Sequence, residues 1–208
     1  MGKKISIRKI VVFSIYVIFI LLIIIGIVRV FFMGKKTLDV QVIDTIDNYN
    51  YTLNNNATKY YKNNFEELSI ILSNENIDEN SYAKLVSKLF ISDLYTLNNK
   101  LNKNDIGGTQ FVYSDFVDDF SSYAKTTIYN NVENNMYNDR KQDLPIVTDI
   151  IINSVTNDSF KYGDKIFENS YYIDLEITYE SDLGYPTNIS LVLVENNNKI
   201  EVAKMETR

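Results

Sequence analysis

The stretch Tyr-Tyr-Ile-Asp-Leu-Glu-Ile-Thr-Tyr-Glu, residues 171–180, decides the fold class of this chain. Its apolar and polar residues alternate, which is the pattern of a β-strand with one buried and one solvated face. On its C-terminal side, polar turns at 182–186 and 196–198 separate the apolar runs Ile189–Val194 and Lys199–Met205. Short turns between successive strands predict an antiparallel meander.

Towards the N-terminus the same period of two residues continues as far as Pro145. Residues 146–155 form a strongly apolar run, and residues 160–167, interrupted by Gly163-Asp164, predict an irregular hairpin. We therefore expect a curled antiparallel sheet of about four strands over residues 146–206.

Before Pro145 the apolar period is close to 3.6 residues, which predicts helices at 57–72, 81–97 and 115–137. The second has apolar residues around most of its circumference, so we expect it to be the most buried. The third is the longest and is expected to be capped by Ser114 and to cover the apolar face of the sheet. Helices followed by an antiparallel sheet predict an α+β fold. The apolar positions of the first helix are Tyr61, Phe65, Leu68 and Leu72.

Residues Ile10–Val28 carry no charge and are rich in Ile, Val, Leu and Phe. As a helix this run spans roughly 28 Å, close to the hydrocarbon thickness of a bilayer. A cleaved signal peptide has a shorter apolar region, about 7–15 residues, followed by small residues. We therefore predict a cytoplasmic tail at 1–9, a transmembrane helix at 10–33, and a stalk with a short strand at 34–56. The folded α+β domain is predicted at 57–208.

The charges that flank this span indicate its orientation. Four basic residues precede it and three follow it, an excess that favours a cytoplasmic N-terminus. In addition, a single N-terminal apolar helix normally translocates the chain that follows it. These features predict a single-pass cell-membrane protein whose N-terminus is cytoplasmic and whose C-terminal domain is extracellular. The basic residues are Lys3, Lys4, Arg8 and Lys9 before the span, and Arg29, Lys35 and Lys36 after it.

The predicted outer part of the chain is strongly acidic. All 27 acidic residues but only 16 of the 21 basic residues lie beyond residue 33, which leaves a formal charge near −11 there. Nucleic-acid affinity comes chiefly from Lys and Arg side chains that neutralise phosphates. The charge therefore argues against a nucleic-acid partner, and its simplest role is solubility.

The chain contains neither histidine nor cysteine. Ser-His-Asp and Cys-His catalysis and ordinary zinc sites are therefore excluded. Ser81-x-x-Lys84 and Ser122-x-x-Lys125 have the spacing of Ser-Lys acyltransferases of the penicillin-binding class, but the partner motifs Ser-x-Asn and Lys-Thr-Gly are missing. The tyrosines inside the two segments, Tyr82 and Tyr123, are expected to lie in the core.

Two groups of acidic residues and one loop are the remaining candidates for a functional site. The default interpretation of the acids is pairing with a helix dipole or a solvated strand face, and the loop lacks a full set of calcium ligands. We therefore predict no catalytic, cofactor-binding or metal-binding residue, no cofactor and no enzyme activity. The candidates are Asp118, Asp119, Asp174, Glu176, Glu180 and the loop 102–107.

A short tail, one span, helices and then an antiparallel sheet resemble the bitopic assembly subunits of type IV secretion and conjugation systems. That resemblance implies an outer domain with a nuclear-transport-factor-2-like, cystatin-like fold. The proline motifs here are Leu144-Pro145-Ile146-Val147 and Tyr185-Pro186-Thr187-Asn188, where that family often has Asn-Pro-x-Gly. Residues 87–95 with Gly107-Gly108-Thr109 are also similar to uncharacterised membrane proteins of low-GC bacteria.

Three functional hypotheses remain open. The first is a non-enzymatic, membrane-anchored interaction or assembly domain of a cell-envelope complex, held in the bilayer by residues 10–33, with protein partners or further copies of itself. The second is a module that binds a small ligand between the sheet and the helices. The third is a carboxylate- or lysine-dependent envelope enzyme. A deep pocket lined by Asp174 or Glu176 would favour the last two, and a filled sheet with an exposed apolar patch would favour the first.

Overall fold

A computed structural model describes residues 7–32 and 37–208 of the chain. The chain divides into two compact units, Met1–Thr37 and Leu38–Arg208. The predicted tail and the end of the predicted span fall partly on residues 1–6 and 33–36, which lie outside the described residues.

The first unit contains one apolar helix, α1, at Ile7–Phe32. Residues Val11–Arg29 have a mean hydropathy of 3.3, and no part of this window is buried. By length and composition the helix can cross a membrane, and a signal sequence near the N-terminus meets the same criterion.

The second unit is an α+β structure, as the sequence predicts. A small hairpin and a helical region precede a four-stranded antiparallel sheet in the order β3-β4-β5-β6, which confirms the predicted meander. The elements are β1 Val42–Ile46, β2 Tyr51–Asn54, α2 Lys59–Leu72, α3 Glu79–Tyr95, α4 Val117–Thr126, β3 Val147–Tyr162, β4 Lys165–Tyr179, β5 Asn188–Asn196 and β6 Lys199–Thr207, with single 3-10 turns at 47–49, 109–111 and 114–116.

Helices α2 and α3 begin at side-chain caps and form the helical half of the core. The Thr58 hydroxyl accepts a hydrogen bond from the Tyr61 N–H at the start of α2, and the Asp78 carboxylate accepts from the Asn80 and Ser81 N–H groups at the start of α3. The predicted apolar face of α2 is buried, and α3 is buried on most sides and contacts β3, β4 and β6.

The prediction of a third helix over 115–137 is wrong. Helix α4 covers only Val117–Thr126, its N-cap residue is Phe116 instead of Ser114, and of its residues only Ala124 is fully buried. The hydroxyls of Thr126 and Thr127 donate back to carbonyls of the preceding turn, which ends the helix. The chain then turns so that Tyr129 and Val132 enter the core, and the cover of the sheet is α3 instead.

The predicted stalk is also wrong over the described residues 38–56. This segment belongs to the compact second unit, where β1 and β2 form an antiparallel hairpin and Tyr51 and Leu53 are buried. The side-chain amide of Gln110 forms two hydrogen bonds with the backbone of Thr52. Its Oε1 accepts from the Thr52 N–H at 2.8 Å, and its Nε2 donates to the Thr52 carbonyl at 3.1 Å. These contacts fix the hairpin to the rest of the core.

The predicted strand 146–155 and hairpin 160–167 are parts of one long hairpin, β3–β4. The chain reverses at Gly163, whose φ of +58° is suited to glycine. Asn197 and Asn198 both have positive φ and join β5 to β6 in a two-residue turn, the geometry that matches the twist of adjacent strands.

The two faces of the sheet differ in polarity. Along β4, Tyr171, Ile173, Leu175 and Ile177 are buried against the helices, while the residues between them face outward and are polar or half-buried. The inner face is therefore filled with apolar side chains, and the polar side chains of the sheet lie on its outer face and at its edges.

Candidate functional site

Strand β3 is one edge of the sheet, since it pairs only with β4. A groove runs between its residues 149–155 and the helices α2 and α3, and we call it the edge groove. Helix α2 contributes Glu67 and Ile71 to it. Helix α3 contributes Ser81, Lys84, Leu85 and Lys88. Backbone N–H and C=O groups on an open edge can pair with a further strand.

The opposite edge of the sheet is partly occupied. Val112 forms a parallel bridge with Val202 of β6, and the Tyr113 N–H donates to the Val202 carbonyl at 2.9 Å. No such strand partner covers β3 among residues 7–32 and 37–208. Within the described structure, β3 is therefore the more accessible edge for an added strand.

Irregular pairing divides β3 into short segments. Its register with β4 shifts between Val147 and Asp149, between Ile152 and Ser154, and between Asp158 and Phe160. Bulges of this kind limit continuous pairing and are a common protection of edge strands. A partner strand could therefore pair continuously along 154–158, whereas along 149–152 it would compete with the Asp149 carboxylate, which accepts a hydrogen bond from the Ile150 N–H at 2.9 Å.

The edge groove combines an apolar floor with charged walls. Ile150 and Leu85 are buried, whereas Ile151 is 51% exposed. Lys84 and Lys88 lie on one wall, and neither ammonium is within salt-bridge distance of a carboxylate in the described part of the chain. Two acidic side chains, Glu67 and Asp149, also line the groove.

The first Ser-x-x-Lys segment lies on this groove, where its serine belongs to the cap of α3. The Ser81 hydroxyl donates to Oδ2 of Asp78 at 2.6 Å, so it stabilises the start of α3. Among the described residues, Ser81 and Lys84 share no hydrogen bond. Tyr82 is buried, as predicted, and its hydroxyl lies 2.8 Å from that of Tyr51.

The second segment is on the surface of α4. Ser122 and Lys125 are exposed, and Tyr123, expected in the core, is 63% exposed. Asp118 and Asp119 lie in the first turn of α4, near the positive end of its dipole, and are exposed. This surface brings no nucleophile and base together.

Of the acidic residues of β4, Asp174 lines a small cavity of about 190 Å³ and Glu176 does not. Asp174 lies on the outer face, where it accepts hydrogen bonds from Ser190 (2.7 Å) and Ser154 (3.1 Å) and forms an ion pair with Arg208 (3.1 Å). The Ser190 hydrogen bond is the main reason that the pKa of Asp174 is lowered, with help from Ser154 and Arg208. Glu176 is exposed, and Glu180 lies just beyond the end of the strand.

The loop after α3 is held by a buried polar cluster. The Asp93 carboxylate accepts from the Lys100 ammonium and from the Gly108 N–H, and Lys100 is only 6% exposed. The Gly107 N–H donates to the Tyr129 hydroxyl at 3.0 Å, and that hydroxyl donates to the Leu94 carbonyl at 2.8 Å. Every one of these groups has a partner, so the cluster stabilises the loop and leaves no free ligand for an ion.

Sequence reasoning missed the edge groove because the motif that lies on it, Ser81-x-x-Lys84, does not indicate which strand lies beside α3. The position of β3 as the first strand of a meander was a usable signal, since the first and last strands of a meander are edges. The packing of α3 against that edge could not be predicted from the sequence.

Comparison with known proteins gives a partial match. The chain is 33% identical over 86 residues to a protein of Amsacta moorei entomopoxvirus named glycylpeptide N-tetradecanoyltransferase. The match covers 40% of this chain and 27% of the viral protein. No family model and no solved structure matches the chain. The viral protein's name is that of an enzyme, which differs from our expectation of a non-enzymatic chain, although the match covers only a minor part of each protein.

Proposed function

We propose that this protein is a membrane-anchored, extracytoplasmic interaction domain of a cell-envelope complex, and that a partner protein binds at the edge groove by adding a strand to β3. The observation that carries the proposal is the open β3 edge beside an apolar groove, in a domain whose inner sheet face is filled. Added strands of this kind gain affinity from main-chain hydrogen bonds and specificity from alternate side chains.

The anchor in this proposal is α1, and the proposal places its N-terminus in the cytoplasm. Support comes from its 26 residues and from the hydropathy of 3.3 over Val11–Arg29. The acidic remainder of the chain would then face away from the anionic cytoplasmic leaflet, which attracts basic and not acidic segments.

The chemistry of the groove defines the segment that would bind. The regular stretches of β3 allow about four or five paired residues. Alternate apolar side chains would contact Ile71, Leu85 and Ile152, and a carboxylate would face Lys84 and Lys88, neither of which forms a salt bridge among the described residues. We therefore propose a short, extended, acidic and apolar segment of another protein.

A crosslinked pull-down from native membranes tests the proposal. The full-length chain is compared with Ile151→Lys, because a lysine on an edge strand disfavours strand addition. Ile166→Lys is the matched control, since Ile166 is 56% exposed but lies at the far end of the β3–β4 hairpin, outside the groove.

We expect one or more partner proteins to crosslink to the unmodified chain, with at least fivefold lower recovery for Ile151→Lys and unchanged recovery for Ile166→Lys. Recovery of the unmodified chain alone, or crosslinking only between copies of the chain, would overturn the proposal. Equal recovery for both variants would place the partner elsewhere on the surface.

A second candidate function follows from the 86-residue match to the viral protein. It is transfer of a tetradecanoyl group to a glycyl peptide, the activity in that protein's name. Incubation of the purified chain with a glycine-initiated peptide and an activated tetradecanoyl donor would show it as a mass increase of the peptide. An unchanged peptide mass, with a proven transferase as positive control, would remove this candidate.

A further inference from the structure

A second cavity lies at another part of the domain and shares no lining residue with the edge groove. Its volume is about 400 Å³, within the range of small-ligand sites. The turn that follows α4, the loop at Tyr185-Pro186 and the end of β6 enclose it. We call it the Tyr95 pocket, after the residue at its floor.

The lining of the Tyr95 pocket contains no charged side chain. Tyr95, Val132 and Leu144 are buried and form its floor, and Tyr185 and Met205 are half-buried on its walls. A charged ligand would lose its hydration there without gaining an opposite charge, which is unfavourable. The lining therefore selects an uncharged ligand with an apolar body.

The hydroxyl of Tyr95 supplies a second, independent observation. Tyr95 is 2% exposed, and burial raises the pKa of its hydroxyl to about 12, so the group is a neutral donor at physiological pH. Other buried tyrosines are hydrogen-bonded: Tyr129 to the Leu94 carbonyl, and Tyr51 to Tyr82. The Tyr95 hydroxyl makes no hydrogen bond with any described residue, and it is not among the fully buried polar atoms that lack a partner, so it is accessible in the cavity that Tyr95 lines.

A hydroxyl that is accessible in a cavity is hydrogen-bonded by water while the cavity is empty, and a ligand that displaces this water retains its affinity only if it supplies an acceptor of its own. The Tyr95 hydroxyl therefore defines where the acceptor of a bound ligand would lie. Exposed Asn131 and Thr207 at the rim can add further polar contacts.

We propose that the Tyr95 pocket binds an uncharged small molecule that has an aromatic or branched aliphatic body and one hydrogen-bond acceptor, to which the Tyr95 hydroxyl donates. This site is independent of the proposed strand addition at β3, because the two surfaces have no residue in common.

The four methionines of the chain allow a direct test. The full chain is labelled with ¹³C at the methionine methyl groups and studied by NMR in detergent micelles. Met205 lines the pocket, Met136 is outside it, and a Met205→Leu variant assigns the signal. Two probes of the same shape are titrated: 4-methylacetophenone, which has a neutral carbonyl, and 4-methylbenzoate, which is charged.

We expect 4-methylacetophenone to shift the Met205 signal saturably and to leave Met136 unchanged, and 4-methylbenzoate to shift neither. Tyr95→Phe keeps the ring and removes the donor, so affinity for the ketone should fall about threefold to tenfold. Tyr162→Phe, at an exposed tyrosine of the β3–β4 hairpin, is the control and should bind as the unmodified chain does.

Three results would overturn the proposal: no saturable shift of Met205 with the ketone, equal binding of ketone and carboxylate, or unchanged affinity in Tyr95→Phe. None of them bears on the pull-down at Ile151, so the two proposals fail separately.

Discussion

Replacement of Gly107 by alanine should destabilise the domain strongly. A Cβ at this position would lie 2.6 Å from the carbonyl carbon of Asp93 and 2.7 Å from Nζ of Lys100, where ordinary contacts are 3.4–4 Å. The loop must therefore retreat by at least about 0.8 Å, the difference between 2.6 and 3.4 Å. That movement weakens the hydrogen bonds of the Gly107 and Gly108 N–H groups and disturbs the buried Lys100–Asp93 pair.

The magnitude follows from these contacts. A lost neutral hydrogen bond costs about 1 kcal/mol and one to a carboxylate about 1.5–3 kcal/mol. Together with the disturbed buried ion pair, we expect a loss of about 3–5 kcal/mol in the free energy of unfolding. For a domain of this size each kcal/mol lowers the midpoint by about 2–4 °C, so the melting temperature should fall by roughly 10 °C.

Thermal unfolding of the full chain in mild detergent, followed by the near-ultraviolet circular dichroism of its tyrosines, measures this change. Gly184→Ala is the control, because Gly184 has φ +76° but a Cβ added there would meet no atom within 4 Å. Its cost should be only the left-handed strain, about 1 kcal/mol. Equal melting temperatures for the two variants would refute the close packing of Gly107 against Asp93.

Two further predictions concern the core and the outer face of the sheet. Leu89→Ala in α3 removes a fully buried side chain and should lower the free energy of unfolding, measured in urea, by about 2–5 kcal/mol. The control Ile70→Ala, at a residue that is 59% exposed, should lower it by less than about 0.5 kcal/mol. Similar values for the two variants would contradict the central position of α3. Asp174→Asn should cost up to about 1 kcal/mol at pH 7, because its carboxylate is 38% exposed. Because the pKa of Asp174 is lower in the folded protein than its ordinary value of 3.8, the ionised carboxylate stabilises the fold at pH values above 3.8. This stabilisation is lost as the pH falls through the pKa that Asp174 has in the folded protein. The difference between Asp174→Asn and the unmodified chain should therefore narrow below about pH 4 in pH-dependent urea unfolding, and a constant difference would contradict an ionised Asp174 stabilised by Ser190, Ser154 and Arg208.

The sequence predicted well those elements whose buried face repeats regularly. In α2 the spacing of Tyr61, Phe65 and Leu68 coincides with its buried side, and in β4 the alternation around Ile173 coincides with its buried face. In both elements, local periodicity and tertiary burial agree, so a single sequence is sufficient to predict them.

The prediction of the third helix failed because apolar residues can be buried in more than one backbone conformation. Ile128 and Val132 continue the helical spacing of α4, but they reach the interior through turns that Tyr129 anchors at the Leu94 carbonyl. That anchor depends on a contact 35 residues away in sequence, which periodicity cannot show. The prediction of a stalk failed for a similar reason, since Tyr51 is buried by Phe111 and Tyr82, both of which are distant in sequence.

The candidate site was less predictable than the fold. Ser81, Lys84 and Lys88 were visible as polar residues on a helix, but their position beside an open strand depends on which strand of the sheet lies next to α3. The Tyr95 pocket is formed by residues from five separate segments, and no local pattern joins them.

Hydrogen exchange along β3 tests the central claim most directly. The amides of residues 149–158 are compared between native membrane vesicles and the purified full chain, with β5 at Asn188–Asn196 as the internal reference. If a partner strand pairs with β3, part of this segment should exchange at least tenfold more slowly in the vesicles while β5 is unchanged. Identical exchange of β3 in the two samples would contradict strand addition at this edge.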